Sequence, residues 1–201
     1  MKSQQRRYMK PYNKIFHGLD ISKAKAELEV NNHLFGEFNA RKNSGPIHAE
    51  MNDIWLRYGD ISDLVKSGDF STIANEHDSI WLKDLPFCKK LCFDVMSLVQ
   101  GERLGGVLIT KLPPCGKIQP HKDSGWHAEY YDKYYVPINN KKGSLFCFEG
   151  GNIEAKEGDV YAFDNSYMHW VENNSNEDRI AMIICIKQSK YDSKGVLCLG
   201  E

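Results

Sequence analysis

This chain is poor in long apolar runs, in any excess of one charge, in paired metal-binding cysteines and in repeats. No apolar stretch approaches the roughly 20 residues that a membrane-spanning helix needs, and the polar N-terminus lacks the apolar segment of a signal peptide. Its 26 basic residues face 27 acidic ones, so no global field is available to hold a nucleic acid or an anionic membrane. These absences predict a cytoplasmic protein with no nucleic-acid partner and no membrane partner. Cys88, Cys92, Cys115, Cys147, Cys185 and Cys198 then read as reduced thiols, because disulfides seldom persist in that compartment. Cys88 and Cys92 stand four apart on an expected helix and share a face. With no CxxC pair and no second half-site, they read as core packing and not as half of a zinc site. The cluster Lys2, Arg6, Arg7 and Lys10 reads as a solvated terminus.

What is present suffices for a core: 201 residues, of which 41% are apolar and 26% charged, fit a single domain over residues 1–201. Two textures divide it. Over residues 1–105 the signals are helical: Asp20 can cap a helix from Lys23 to Val30, and Pro86 stands near the start of one through Leu91 to Val99. Asp53 to Tyr58 reads as a strand between them. From Gly106 onward short apolar runs alternate with turns, and Val107–Thr110, Lys133–Ile138, Ser144–Phe148, Val160–Phe163, His169–Asn173 and Arg179–Ile186 all read as strands. The breaks are Pro113-Pro114, Asn139-Asn140, Gly150-Gly151, Glu157 to Asp159, Asp164-Asn165 and Asn173 to Asn176. Such even spacing predicts a mainly β jelly-roll core over residues 106–187, flanked by the helical N-terminal part and followed by a tail, 188–201.

The residues that carry chemistry lie in this second half. In an extended strand His121 and Asp123 project to one face while Lys122 points away. A histidine from a distant strand, His169, would complete a two-histidine, one-carboxylate set that leaves open positions on a metal. His127 is an alternative ligand or a substrate contact, because the bend at Gly125-Trp126 hides its direction. His17, His33, His48 and His77 sit in segments without complementary ligand spacing and read as surface or capping residues. Arg179 begins a strand and shares a face with Ala181, Ile183 and Cys185, an apolar and therefore inward lining. A guanidinium buried there needs an anion, and its planar fork suits a carboxylate. The competing reading is an internal ion pair with Glu177 or Asp178. Trp126, Tyr130, Tyr131 and Trp170 flank these residues as either an aromatic rim or plain packing, and Arg57 is a strand arginine that is solvated, paired or a substrate anchor.

Gly158, eleven residues before His169, and Asn173, four after it, resemble the second motif of the cupin superfamily, with Asp164 and Ser166 in place of its middle proline and glycine. Gly116 with His121-x-Asp123 resembles the first motif loosely. Leu112 to Asp123 (LPPCGKIQPHKD), Tyr134 to Ile138 (YYVPI), Gly158 to Asn165 (GDVYAFDN), His169 and Arg179 in this order are similar to the 2-oxoglutarate and Fe(II)-dependent oxygenases, most of all the aspartyl/asparaginyl β-hydroxylase branch. The resemblance implies a double-stranded β-helix with flanking helices. It implies Fe(II) on His121, Asp123 and His169, 2-oxoglutarate with its distal carboxylate on Arg179, and O2 as oxidant. Where that branch carries an arginine and a histidine before the Val-Pro-Ile segment, this chain has Lys133 and Tyr135, which are the expected second cosubstrate contacts. The implied activity is hydroxylation of an amino-acid or peptidyl side chain of Asp, Asn or Pro type, with 2-oxoglutarate decarboxylated to succinate. A non-oxidative metal-binding cupin, either a sugar isomerase or a small-molecule binder, is the alternative.

Overall fold

The computed structural model describes residues 11–59 and 79–188; the Lys2 to Lys10 cluster, His77 and Cys198 lie outside them. Its strands are β1 (Tyr12–Phe16), β2 (Asn52–Tyr58), β3 (Ile80–Trp81), β4 (Gly101–Leu112), β5 (Lys117–His121), β6 (Asp132–Asn139), β7 (Ser144–Phe148), β8 (Gly151–Ile153), β9 (Val160–Phe163), β10 (His169–Asn173) and β11 (Arg179–Gln188). The helices are α1 (Ser22–Val30), α2 (Ala40–Asn43), α3 (Pro86–Leu98) and α4 (Trp126–Tyr130), with 3-10 turns at Asn32–Leu34 and Pro46–His48. A seven-stranded sheet runs β1-β9-β6-β11-β4-β2-β3 and faces a four-stranded sheet, β5-β10-β7-β8. From β4 onward the chain shuttles between the two sheets until β11 returns to lie beside β4. That winding is the double-stranded β-helix, and it closes the barrel with antiparallel ladders throughout.

The strand period explains the layers. Along β11, Met182, Ile184 and Ile186 pack outward with Ala24 and Leu28 of α1 and with Cys88, Leu91, Cys92 and Val95 of α3. Ala181 and Ile183 point the other way, into a barrel interior of Leu112, Ile118, Tyr135, Phe146, Phe148, Tyr161 and Phe163. Each fully buried large aliphatic side chain contributes about 1.5–3 kcal/mol. Cys88 and Cys92 are wholly buried in the outer layer, as core residues. The two helices are joined by Glu27, whose carboxylate accepts the backbone N–H groups of Phe87 (3.1 Å) and Cys88 (2.8 Å) at the start of α3. These are donors a helix leaves unsatisfied at its own N-terminus. Asp20 stands one residue before the N-cap position of α1, Ile21, and so does not cap the helix as expected: it accepts from the Ser22 backbone (3.0 Å) and hydroxyl (2.6 Å).

The N-terminal part does more than cover the barrel, because it also supplies β1, β2 and β3 to the large sheet. The Asp159 side chain ties β1 down. It is fully buried and accepts from Lys14 Nζ (2.8 Å), His17 Nδ1 (2.6 Å) and the Lys156 backbone (3.0 Å). His17 is exposed, as the sequence implies, and is also a hydrogen-bond partner of Asp159. The neighbouring Gly158 has φ +78°, and a Cβ there would collide with the Leu19 carbonyl oxygen, so this turn tolerates only glycine.

Burial pushes the Asp159 carboxyl up, but the hydrogen bonds from His17, Lys14 and Lys156 hold it below its ordinary 3.8. A carboxyl depressed in the folded state stabilises the protein above its unfolded value, and the contribution disappears as pH falls through the folded one. Asp159→Asn is therefore expected to lower the thermal midpoint at pH 7 and to flatten the acid limb of the wild-type stability curve below pH 3.8, as read by circular dichroism. An unchanged acid limb would contradict the assignment.

Candidate functional site

His121 ends β5 and His169 begins β10, and the ladder pairs them directly. Their rings lie 4.4 Å apart between centroids. Each is held the same way, with Nδ1–H donating to the carbonyl two residues earlier, Gln119 at 2.8 Å and Tyr167 at 2.9 Å. A carbonyl only accepts, so a proton sits on Nδ1, and Nε2 is the nitrogen that each ring offers to a metal. Asp123 is not on the strand, because β5 stops at His121. It reaches the histidines because its backbone N–H donates to the Asn165 carbonyl (3.0 Å) while Asn165 Nδ2 donates to Asp123 Oδ2 (3.1 Å). Gly125, at φ +91°, then turns the chain into α4. One donor atom from each of His121, Asp123 and His169 lies within 4.8 Å of the others.

The electrostatics suit a cation. Burial raises the Asp123 carboxyl, yet His169, Lys133, Asn165 and His121 together hold it below its usual value, so it is ionised. Burial holds the His169 imidazole below its usual value and therefore neutral, against the opposing pull of the Tyr167 carbonyl and Asp123. Two imidazoles and one carboxylate form a donor set that fits a divalent metal with open positions.

Arg179 is 3% exposed and has no acidic partner among the described residues. The competing acids are engaged elsewhere, Asp178 by Lys111 at 3.9 Å and Glu177 by Lys141 at 3.7 Å. Its guanidinium lies over the Tyr135 ring, 5.2 Å from the centroid, and its Nε is buried without a hydrogen-bond partner. Tyr135 is 1% exposed and packs edge-on to Phe146 at 5.2 Å. Lys133, on the same face of β6, donates to His127 Nδ1 (3.1 Å) and Cys185 Sγ (3.1 Å). Two basic side chains are thus buried in the barrel, Lys133 near enough to Asp123 to act on its charge, a costly arrangement unless an anion joins them.

Other expected residues fall as follows. His127 bonds Lys133 and stands outside the cluster of three donors. Trp126 is exposed and edge-on to His127, whereas Tyr131 is buried against the same ring. Trp170 alternates with the inward His169 and donates to Glu172 (3.2 Å), so it belongs to the outer face. Arg57 donates to the Gly105 carbonyl (2.9 Å) and lies over Trp81, away from the triad. Sequence spacing missed two participants. Asn165 lies in a stretch legible only as a turn. His48, expected at the surface, is carried by the 3-10 turn Pro46–His48 onto His121, ring centroids 5.0 Å apart, with its Nε2 buried and unpartnered.

The sequence model of the aspartyl/asparaginyl β-hydroxylases matches residues 64–189, more than half of the chain. The chain belongs to the aspartyl/asparaginyl β-hydroxylase family. Membership makes it an oxygenase enzyme of hydroxylase type. No curated protein sequence matches it. Among solved structures it is similar to a Pseudomonas putida prolyl-4-hydroxylase (TM-score 0.55, 11% identity, covering 89% of this chain and 91% of that one). It is also similar to a Trichoplax adhaerens prolyl hydroxylase in complex with a hypoxia inducible factor peptide fragment (TM-score 0.56, 12% identity, covering 88% and 82%). At such identities the likeness is one of fold, and it bears out the jelly roll. No helix among the described residues is long and apolar enough to cross a membrane.

In this β-hydroxylase, burial pushes His48 and His127 down to about 3, with Arg41 and His121 adding to the first and Lys133 to the second. Both rings are expected to stay neutral at about pH 5 in metal-free protein, read from imidazole nitrogen shifts by NMR. In the unfolded chain both would charge near 6.5, so stability declines as pH falls from there toward 3. Titration of either ring near 6.5 would contradict the burial.

Proposed function

We propose that this β-hydroxylase is Fe(II)- and 2-oxoglutarate-dependent and hydroxylates an amino-acid or peptidyl side chain, with 2-oxoglutarate converted to succinate. The convergence of His121, Asp123 and His169 in a barrel that also buries Arg179, whose Nε has no hydrogen-bond partner, supports this reading. His121, Asp123 and His169 would hold ferrous iron, which when bound supplies the activation of O2 for oxygen insertion into a C–H bond.

Each protein group has a task of its own. The Gln119 and Tyr167 carbonyls fix the imidazole orientation, and Asn165 fixes the carboxylate. Arg179 would take the distal carboxylate of 2-oxoglutarate in a two-point contact, with the Tyr135 ring beneath holding the fork flat. Lys133 would add a second positive charge on the path from Arg179 to the triad. The aromatic and aliphatic lining, Phe146, Phe148 and Phe163 among it, excludes water and strengthens these charge contacts. The side chain to be hydroxylated would approach from the open side of the triad, near His48, whose ring lies against His121. The Trichoplax relative holds a peptide, which favours a peptidyl substrate here.

Purified protein is expected to form succinate from 2-oxoglutarate only with Fe(II) and O2, and His121→Ala to abolish that turnover. Full activity in the variant would overturn the ligand assignment. Arg179→Met should weaken 2-oxoglutarate binding about 100-fold while leaving Fe(II) affinity within about threefold, measured by anaerobic calorimetry. Equal loss of both would indicate a structural role for the arginine.

A further inference from the structure

Lys133 and Cys185 are direct partners across the β6–β11 ladder, so strand register sets their closeness. Lys133 Nζ lies 3.1 Å from Cys185 Sγ, and the two residues are 7% and 5% exposed. The other hydrogen-bond partner of Lys133 is the imidazole of His127, so neither partner is an acid. Among the described cysteines, Cys185 alone has an amine at hydrogen-bond distance. Cys88 and Cys92 contact the Ala24 and Cys88 carbonyls in the outer core, and Cys115 is exposed. An amine nitrogen held against a sulfur in a water-poor interior is positioned to react once that sulfur is oxidised.

We propose that Lys133 and Cys185 form an oxidant-triggered covalent cross-link, a modification site on the inner wall of the barrel. Hydrogen peroxide, small and neutral, oxidises the thiol first. Its O–O bond breaks, one oxygen joins the sulfur as a sulfenic acid, and the other leaves as water. The Lys133 ammonium passes its extra proton to solvent water, and the neutral amine then attacks the sulfur. An N–S bond forms, the S–O bond breaks, and the departing hydroxide takes a proton from nitrogen to give a second water. Thiol, amine and one peroxide thus become a sulfenamide and two waters, and a thiol reductant reverses the link. The positive charge of Lys133 disappears. Weaker 2-oxoglutarate binding follows from that loss, a consequence that rests on the function proposed above, whereas the cross-link itself does not.

The test uses metal-free full-length protein treated with hydrogen peroxide, with remaining thiols blocked by N-ethylmaleimide, digested without reductant and analysed by mass spectrometry. The expected product is a peptide pair joining Lys133 to Cys185, lighter by two hydrogens than its parts. It is lost with dithiothreitol and absent from Cys185→Ser and Lys133→Met. Cys185 found only as a maleimide adduct, a sulfinic or sulfonic acid, or a disulfide overturns the proposal. In a second arm, Fe(II)-loaded cross-linked protein should lose 2-oxoglutarate binding and regain it with dithiothreitol. Unchanged binding across an intact cross-link overturns the regulatory consequence. Failure of the reduced protein to bind 2-oxoglutarate at all counts against the proposed function and leaves the cross-link standing.

Discussion

The pairing of β10 with β5 is the constraint from which the site follows. It sets His169 opposite His121 at the end of a ladder, so two imidazoles that are distant in sequence meet without any loop having to hold them. Backbone carbonyls of the same two segments take both Nδ1 protons, which fixes tautomer and ring angle by main-chain geometry. A one-residue slip of either strand would send one imidazole to the opposite face. The large hydrophobic cluster inside the barrel, with Ile118 and Val171 on those very strands, makes such a slip costly.

Positive charge is the second theme. The barrel buries Arg179 and Lys133 on its inner wall with Asp123 as the nearby carboxylate, although the interior around them is aromatic and aliphatic. A protein selected for stability alone would pair or remove these cations. Their burial in the same barrel as a three-donor set is accounted for by the anionic, metal-chelating cosubstrate proposed above. The same crowding places an amine against a thiol, so the wall proposed to hold a dicarboxylate is also the one proposed to respond to an oxidant.

Much of this was legible in the sequence, and the reasons are physical. The strands Ser144–Phe148, Val160–Phe163 and His169–Asn173 were readable to the residue because turn chemistry bounds each one. The inward direction of Arg179 followed from period two along β11. Asp123 was placed correctly for an incomplete reason: strand alternation predicts its face, yet the Asn165 clasp beyond the strand end is what brings it in. β1, β8 and β3 were missed because they are short edge strands with weak alternation, defined by their neighbours and not by their own residues. His48 was missed for a related reason. Its position depends on a 3-10 turn docking against β5, a contact with no periodic trace in the chain. Arg57 and Trp170 are the converse, residues of plausible chemistry whose strand register turns them away from the triad.

On the function proposed above, one divalent site and one guanidinium jointly hold a keto-dicarboxylate inside the barrel. The decisive measurement is anaerobic titration of Fe(II)-loaded protein with 2-oxoglutarate, followed by visible absorption. A metal-to-ligand charge-transfer band is expected that saturates with one cosubstrate per chain and does not form with His169→Ala. A colourless titration with iron demonstrably bound would contradict it.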